Sequence, residues 1–202
     1  MSLTIHGDSK SGNCLKVKWV AQRLGLRFHW IEVNILEGES RTPEFLAKNP
    51  AGQVPLLLLN DGRPLAQSNA IMLHLAEGSD LVPADAYDRA RMYEWLFWEQ
   101  YSHEPYVAVA RFQVKYLGKA VSEVEPRIME RGAAALARME TALAQSPFPS
   151  PFLVGDRLTL ADIALVAYTR MAHDGGFNLA DYPATRAWVA RVEAALPIED
   201  PA

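Results

Sequence analysis

The chain has 202 residues, 50% of them hydrophobic and 22% charged, with 20 lysines and arginines against 24 aspartates and glutamates for a net charge of −4. This composition excludes a disordered chain and a small scaffold held together by staples, and at roughly 100–200 residues per domain it fits one large domain or two small ones. A mildly acidic balance without a run of lysine or arginine excludes a surface built to neutralise phosphates, so neither nucleic acid nor an anionic membrane is expected as a partner.

In chain order, Met1-Ser2-Leu3-Thr4 lacks the basic start and apolar stretch of a secretion signal, which makes the cytosol the expected location. Leu3 to His6 is a strand candidate, and Asp8 to Asn13 is a polar loop dense in turn formers. A helix is expected from about Cys14: Val17, Val20, Ala21 and Leu24 stand at helical spacing, and Gly25 sits where a left-handed cap is wanted. Phe28 to Val33 is a second strand. Thr42-Pro43-Glu44 combines an N-cap, a first-turn proline and a first-turn acid, opening a short helix that stops before Asn49-Pro50. Val54 to Leu59 is a buried strand, far below the ~18 residues needed to cross a bilayer. Asn60-Asp61-Gly62 turns it onto a partner around Pro64 to Ala66, and Ser68 is expected to cap a helix carrying Ile71, Leu73 and Leu75. The order is βαβ, a short helix, then ββα, which is the thioredoxin-like arrangement.

Gly78 to Asp85 reads as a linker, so the expected division is residues 1–78 and 86–202, α/β followed by all-α. Tyr87 to about Gly118 is read as one long helix bent at Pro105, whose ring would collide with the carbonyl of Tyr101. Glu123 to Ala144 is a second long helix, broken by Ser146-Pro147-Phe148-Pro149-Ser150-Pro151. In Leu158-Thr159-Leu160-Ala161-Asp162, Thr159 and Asp162 have capping-box spacing, opening a helix to about His173. A last helix runs from about Pro183 to Ala195.

Several chemistries fail on spacing. Cys14 is the only cysteine, so there is no internal disulfide and no paired-cysteine metal framework. The five histidines lack HExxH or His-x3-His spacing, and His103-Glu104 runs straight into Pro105, so no metal is expected. Gly7-Asp8-Ser9-Lys10-Ser11-Gly12 begins like a nucleotide-binding loop, but Asn13-Cys14 stands where Lys-Ser/Thr is required. The same loop is a strand-to-helix junction, where free N–H groups and the helix dipole favour an anion beside Ser11. In redox proteins of this architecture the junction carries Cys-x-x-Cys; here Ser11-Gly12-Asn13-Cys14 keeps the spacing and lacks the attacking thiol. A serine with no neighbouring His and Asp is a poor nucleophile and a good donor to another molecule's thiolate, though the same serine also suits a plain helix cap. Cys14, one turn in, is expected to face inward and be inert.

Ser11-Gly12-Asn13-Cys14-Leu15-Lys16-Val17 after the first strand, together with Asn49-Pro50-Ala51-Gly52-Gln53-Val54-Pro55, Gln67-Ser68-Asn69-Ala70-Ile71 and Gly155-Asp156-Arg157-Leu158-Thr159-Leu160-Ala161-Asp162, resembles the cytosolic glutathione transferase family over essentially the whole chain. Trp95 to Phe112 is similar to bacterial nu-like and serine-type theta or delta-like branches. The resemblance implies a cis Pro55 that frees the backbone of Val54 to pair with the cysteinyl part of glutathione, the co-substrate. It assigns the γ-glutamyl carboxylate to Gln67 and Ser68, the glycyl end to Gln53 with Arg41 as a supporting cation, and the glutathione sulfur to Ser11 and Asn13 as donors. Asn69 departs from the Arg or Gly frequent in relatives. The resemblance further implies a homodimer in which Glu99 reaches the γ-glutamyl amine, and an electrophile site walled by Tyr101, Tyr106 and Phe112. Thr159 and Asp162 are assigned to folding.

The expected activity is attack of activated glutathione on a small hydrophobic electrophile. Glutathione-dependent reduction of peroxides or disulfides would use the same thiolate, and a non-catalytic binding or assembly module is the alternative of another class.

Overall fold

The computed structural model describes residues 3–144 and 151–198, and the chain divides between Ser79 and Asp80 into two units, the second ending at Leu196. In the first, β1 (Leu3–Gly7) and β2 (Phe28–Glu32) pair in parallel from Leu3↔Phe28 to Gly7↔Glu32, joined by the crossover helix α1 (Gly12–Arg23). Glycine at 25 has φ 64°, and the bonds Gly25 N–H to Gln22 O (3.0 Å) and Leu26 N–H to Ala21 O (2.9 Å) close α1 with the Schellman pattern. After α2 (Pro43–Lys48), β3 (Leu56–Leu58) runs antiparallel to β1, and β4 (Pro64–Ala66) runs antiparallel to β3, giving the order β2-β1-β3-β4. Helix α3 (Ser68–Leu75) packs against α1. Ile5, Val17, Val20, Leu56, Leu57, Ile71 and Met72 are wholly buried, and each contributes about 1.5–3 kcal/mol on leaving water. The thioredoxin-like order expected from the sequence is the one observed.

The starts of three elements differ, and the ends of the strands shift by a single residue. Helix α1 starts at Gly12, not Cys14, because Ser11 is extended (φ −83°, ψ 122°) and its carbonyl already accepts the N–H of Leu15 at 2.9 Å. Strand β3 starts at Leu56, not Val54, because the cis Val54–Pro55 bond turns the chain before the ladder begins. Ser68 does not cap α3: Gln67 occupies the cap position and Ser68 is the first helical residue. Thr42 does cap α2, its Oγ1 accepting the N–H of Phe45 at 3.3 Å, with Pro43 in the first turn.

In the second unit Asp85 caps α4 (Ala86–Trp98), its carboxylate accepting the N–H groups of Tyr87 and Asp88 at 2.9 and 3.0 Å. The stretch read as one helix is α4, a π-helical turn over Glu99–His103, α5 (Glu104–Arg111) and a second π turn over Phe112–Tyr116. Pro105 has no N–H to offer the preceding turn, and the widened turn before it accommodates that loss without ending the helical path. Fully buried His103 is held through Nε2, which lies 3.0 Å from Thr169 Oγ1, itself donating to Leu165 O at 2.7 Å.

Helix α6 (Pro126–Ala144) begins three residues later than expected, because Glu123 belongs to a 3-10 turn over Val121–Glu123 and its Oε2 accepts the N–H of Ala120 at 2.7 Å. The expected break from Ser146 to Ser150 lies outside the described residues. Helix α7 (Leu160–Thr169) is buried along its whole length and ends before His173, where a 3-10 turn over Ala172–Gly175 leads to Gly176. Its start is closed by Asp162: one carboxylate oxygen accepts the N–H and Oγ1–H of Thr159 (2.9 and 3.0 Å), the other the N–H of Leu153 and Nε1–H of Trp188 (both 2.9 Å). Burial pushes this carboxyl above the usual carboxylate range while the four donors pull it down. Helix α8 (Pro183–Ala195) has no side-chain cap of its own; Glu140 of α6 supplies one, accepting the N–H groups of Ala184 and Thr185 at 2.9 and 2.8 Å. No helix among the described residues is long and apolar enough to cross a membrane.

Candidate functional site

The loop from β1 to α1 is set by Asp8, whose side chain accepts the N–H of Lys10 at 2.8 Å and whose carbonyl accepts the N–H of Ser11 at 3.0 Å. This Asx-type turn delivers Ser11, half-buried, to the cap position of α1. The Ser11 side chain makes no cap bond; its hydroxyl faces the thiol of Cys14. That thiol is wholly buried, accepts the N–H of Asp8 at 3.3 Å, and is pushed up to about 12 mainly by burial. It is therefore protonated at neutral pH and inert, as its position one turn into the helix suggested.

The start of α1 is tied to the start of α3 through Asn13. Its Oδ1 accepts Lys16 Nζ at 2.8 Å and Ser68 Oγ at 3.2 Å. Two predicted site residues from distant sequence are thus in contact, and a third residue, Lys16, to which sequence reasoning gave no role, joins them. Lys16 has no exposed surface. The signal was its place one turn after Asn13, beside the apolar positions Val17 and Val20.

Before α3, Gln67 adopts φ 71° and ψ 113°, outside the region an ordinary side chain occupies, at a cost of about 1–3 kcal/mol. Its side chain is exposed and makes no cap bond to the first turn of α3. Neither α1 nor α3 carries an acid in its first turn. Both starts therefore present uncancelled positive ends, which suit a carboxylate or a thiolate.

Between them lies the loop that ends in cis Pro55. Asn49 holds it: its Nδ2 donates to Gln53 O at 2.8 Å and its Oδ1 accepts the N–H of Ala51 at 3.2 Å. Among the described residues no backbone hydrogen bond engages the N–H or C=O of Val54, which leaves a short strand edge open to an extended ligand. Arg41 lies across this loop, donating from its guanidinium to Ala51 O at 3.1 Å. Gly52 (φ 60°) permits that approach, because a Cβ there would stand 2.7 Å from the guanidinium nitrogen. Arg41, Gln53, Val54 and Pro55 thus share one loop region.

The remaining predicted residues belong to the second unit. Glu99 is wholly buried, one carboxylate oxygen accepting Gln100 Nε2 at 2.8 Å. Tyr101 is 83% exposed, while Tyr106 and Phe112 are half-buried. Phe112 stacks on Tyr116 with ring centroids 5.6 Å apart, so one of its faces is already covered. Among the described residues no group of three His, Cys, Asp or Glu side chains could hold a metal ion.

Comparison with known proteins bears on this arrangement. The family model for the glutathione S-transferase N-terminal domain matches residues 11–77, and that for the C-terminal domain matches residues 97–195. The chain is 29% identical to Protein URE2 of Candida glabrata over 92% of its own length and 63% of that protein, so it spans less than two thirds of that relative. It is 32% identical to Glutathione S-transferase 3 of Zea mays over 79% of its own length and 73% of that protein. A crystal structure of a glutathione S-transferase from Pseudomonas fluorescens superposes with TM-score 0.90 at 45% identity, covering 96% of each chain. The structure of Ure2p in complex with glutathione superposes with TM-score 0.85 at 26% identity, covering 96% of this chain and 89% of that one.

Proposed function

From the premise that the chain belongs to the glutathione S-transferase family, we propose that it binds glutathione across its first unit and activates the thiol for attack on a small hydrophobic electrophile. The observation that carries this reading is the pair of uncapped helix starts, joined by the Ser68 to Asn13 hydrogen bond and flanked by the unengaged backbone of Val54.

In this reading the γ-glutamyl carboxylate lies at the start of α3, received by the backbone N–H of Ser68, by Gln67 and by the other first-turn N–H groups, while the Ser68 hydroxyl stays on Asn13. The cysteinyl backbone pairs with Val54 as an added strand would. The glycyl carboxylate meets Arg41, with Gln53 beside it. The sulfur comes to the start of α1, where the Ser11 hydroxyl and the Asn13 amide donate to it. Donors aimed at the sulfur favour thiolate over thiol, each pKa unit corresponding to about 1.4 kcal/mol, so more nucleophile is present at neutral pH. The proton leaves to solvent. Tyr101, Tyr106 and Phe112 are assigned to the electrophile, a homodimer is the assigned assembly and the cytosol the assigned compartment; Glu99 is withdrawn from the γ-glutamyl amine, because its carboxylate is wholly buried within its own chain and does not reach a partner.

A second reading, glutathione-dependent reduction of a peroxide or disulfide, is favoured by the Ser-x-Asn pattern at 11–13, because an amide and a hydroxyl stabilise a thiolate without supplying a leaving-group acid. Turnover with an aryl halide, an organic hydroperoxide and a glutathione mixed disulfide separates the two. Conjugation of the aryl halide is expected, with Ser11→Ala and Asn13→Ala each raising the apparent thiol pKa in the kinetic pH profile by about one unit. No turnover on all three, with no glutathione binding by calorimetry, would leave a binding or assembly module.

A further inference from the structure

Lysine is seldom wholly buried unless its ammonium has a task. Lys16 has no exposed surface, and it shares one face of α1 with Asn13, a turn earlier. An asparagine side chain has an oxygen that only accepts and a nitrogen that only donates, and a half-turn exchanges the two. An ammonium offers donors alone. With Lys16 Nζ 2.8 Å from it, the end of Asn13 that faces Lys16 has to be the oxygen, since the opposite rotamer would set an NH2 group against the ammonium. Ser68 Oγ, 3.2 Å from the same oxygen, adds a second donor to the same orientation.

We propose that Lys16 is a positioning residue for thiol activation. It locks the Asn13 amide with Oδ1 turned toward it and Nδ2 turned the other way, to the ligand sulfur. As a cation against the carbonyl oxygen it also draws electron density from the amide, which makes the Nδ2–H groups stronger donors. This rests on the assignment of Asn13 as a donor to glutathione sulfur. It explains why an amide, which on its own presents either end with nearly equal ease, is used at a position where only one end serves.

The test is a double-mutant cycle read by the ultraviolet thiolate absorbance of bound glutathione at fixed neutral pH, with kcat and the glutathione Kd measured alongside. Lys16→Met is expected to lower the thiolate fraction and kcat about tenfold while the Kd stays within about twofold, because the tripeptide's other contacts are untouched. Asn13→Ala is expected to do the same, and Lys16→Met/Asn13→Ala to be no worse than Asn13→Ala within about twofold, since Lys16 acts through Asn13. Losses that multiply in the double variant overturn the proposal, as does Lys16→Met that keeps the thiolate when Asn13→Ala loses it. That second outcome leaves the glutathione reading standing. Absence of a thiolate signal in the unmodified protein with glutathione bound fails the reading itself. Should Lys16→Met not fold by circular dichroism, Lys16→Gln decides, because its neutral amide fills the same buried place and lets either end of Asn13 face it. Loss of thiolate in a stably folded Lys16→Gln protein with the glutathione Kd unchanged within about twofold supports the proposal, and retention overturns it.

Discussion

Helices α7 and α3 begin in opposite ways. At α7, four donors from Thr159, Leu153 and Trp188 converge on the carboxylate of Asp162. At α3 the residue before the helix is a glutamine in a strained conformation, without a cap bond and with no acid in the first turn. The start of α8 follows the first pattern through Glu140, and the start of α1 follows the second through Ser11. A helix start answered from within contributes to stability. One without a side-chain cap of its own or an acid in its first turn is, in the proposed function, where an anionic group of the ligand lies.

The sharpest way to break this contrast is Asp162→Ala. It strands the buried N–H donors of Thr159 and Trp188 and the partly buried one of Leu153, and opens a cavity, so a loss of about 3–5 kcal/mol is expected in chemical denaturation, with glutathione affinity of the folded protein unchanged within about twofold. Loss of affinity at unchanged stability would make Asp162 part of the site.

Gln67→Gly should show the reverse. Its backbone already lies at φ 71°, where glycine is unstrained, so relief of about 1–3 kcal/mol is set against glycine's entropic cost of about 0.5–1 kcal/mol. Stability measured by denaturant should hold or rise while calorimetry shows glutathione bound about tenfold more weakly. A less stable protein with full affinity would erase the distinction between the two helix starts.

The smallest effect is expected at Cys14, whose wholly buried thiol lies behind the Ser11 hydroxyl in the first turn of α1. Its native pKa, pushed up to about 12 by burial, lies above its ordinary value of 9.0. The unfolded chain therefore releases this proton first. The stabilising contribution is whole below about pH 9 and falls as pH rises toward the native value, with a slope of up to about 1.4 kcal/mol per pH unit. Cys14→Ala should flatten that alkaline slope in denaturation measured across pH. A slope that survives the substitution would assign it to other groups.

What could be read from sequence follows from where each signal resides. Thr159-x-x-Asp162, Thr42-Pro43 and the ββα order are local signals, and each produced the element it announces. Asn13, Ser68 and the Val54-Pro55 pair stood out as motif residues, but their mutual placement did not, because a hydrogen bond across 55 residues leaves no periodic trace. Lys16 lies within the Ser11–Val17 motif with no role legible there, since burial of its ammonium depends on tertiary packing, and Glu140 leaves no signal because it caps α8 from 44 residues away. Ser68 was read as a cap because Ser is the better cap former; the tertiary setting of Gln67 moved the cap by one position.

The two π turns that flank α5 bear on how this protein is compared with others. Each accommodates about one residue more than an α-helical turn of the same height, and one residue turns a helix by about 100°. Beyond His103, and again beyond Tyr116, inward and outward letters are therefore read in a shifted frame. Arg111, near the end of α5, is buried in spite of its charge, whereas Tyr101, inside the first π turn, is bare. An alignment that matches a straight-helixed relative column by column through this stretch would keep its length and exchange its faces, and lining residues copied across it would be assigned to the wrong side.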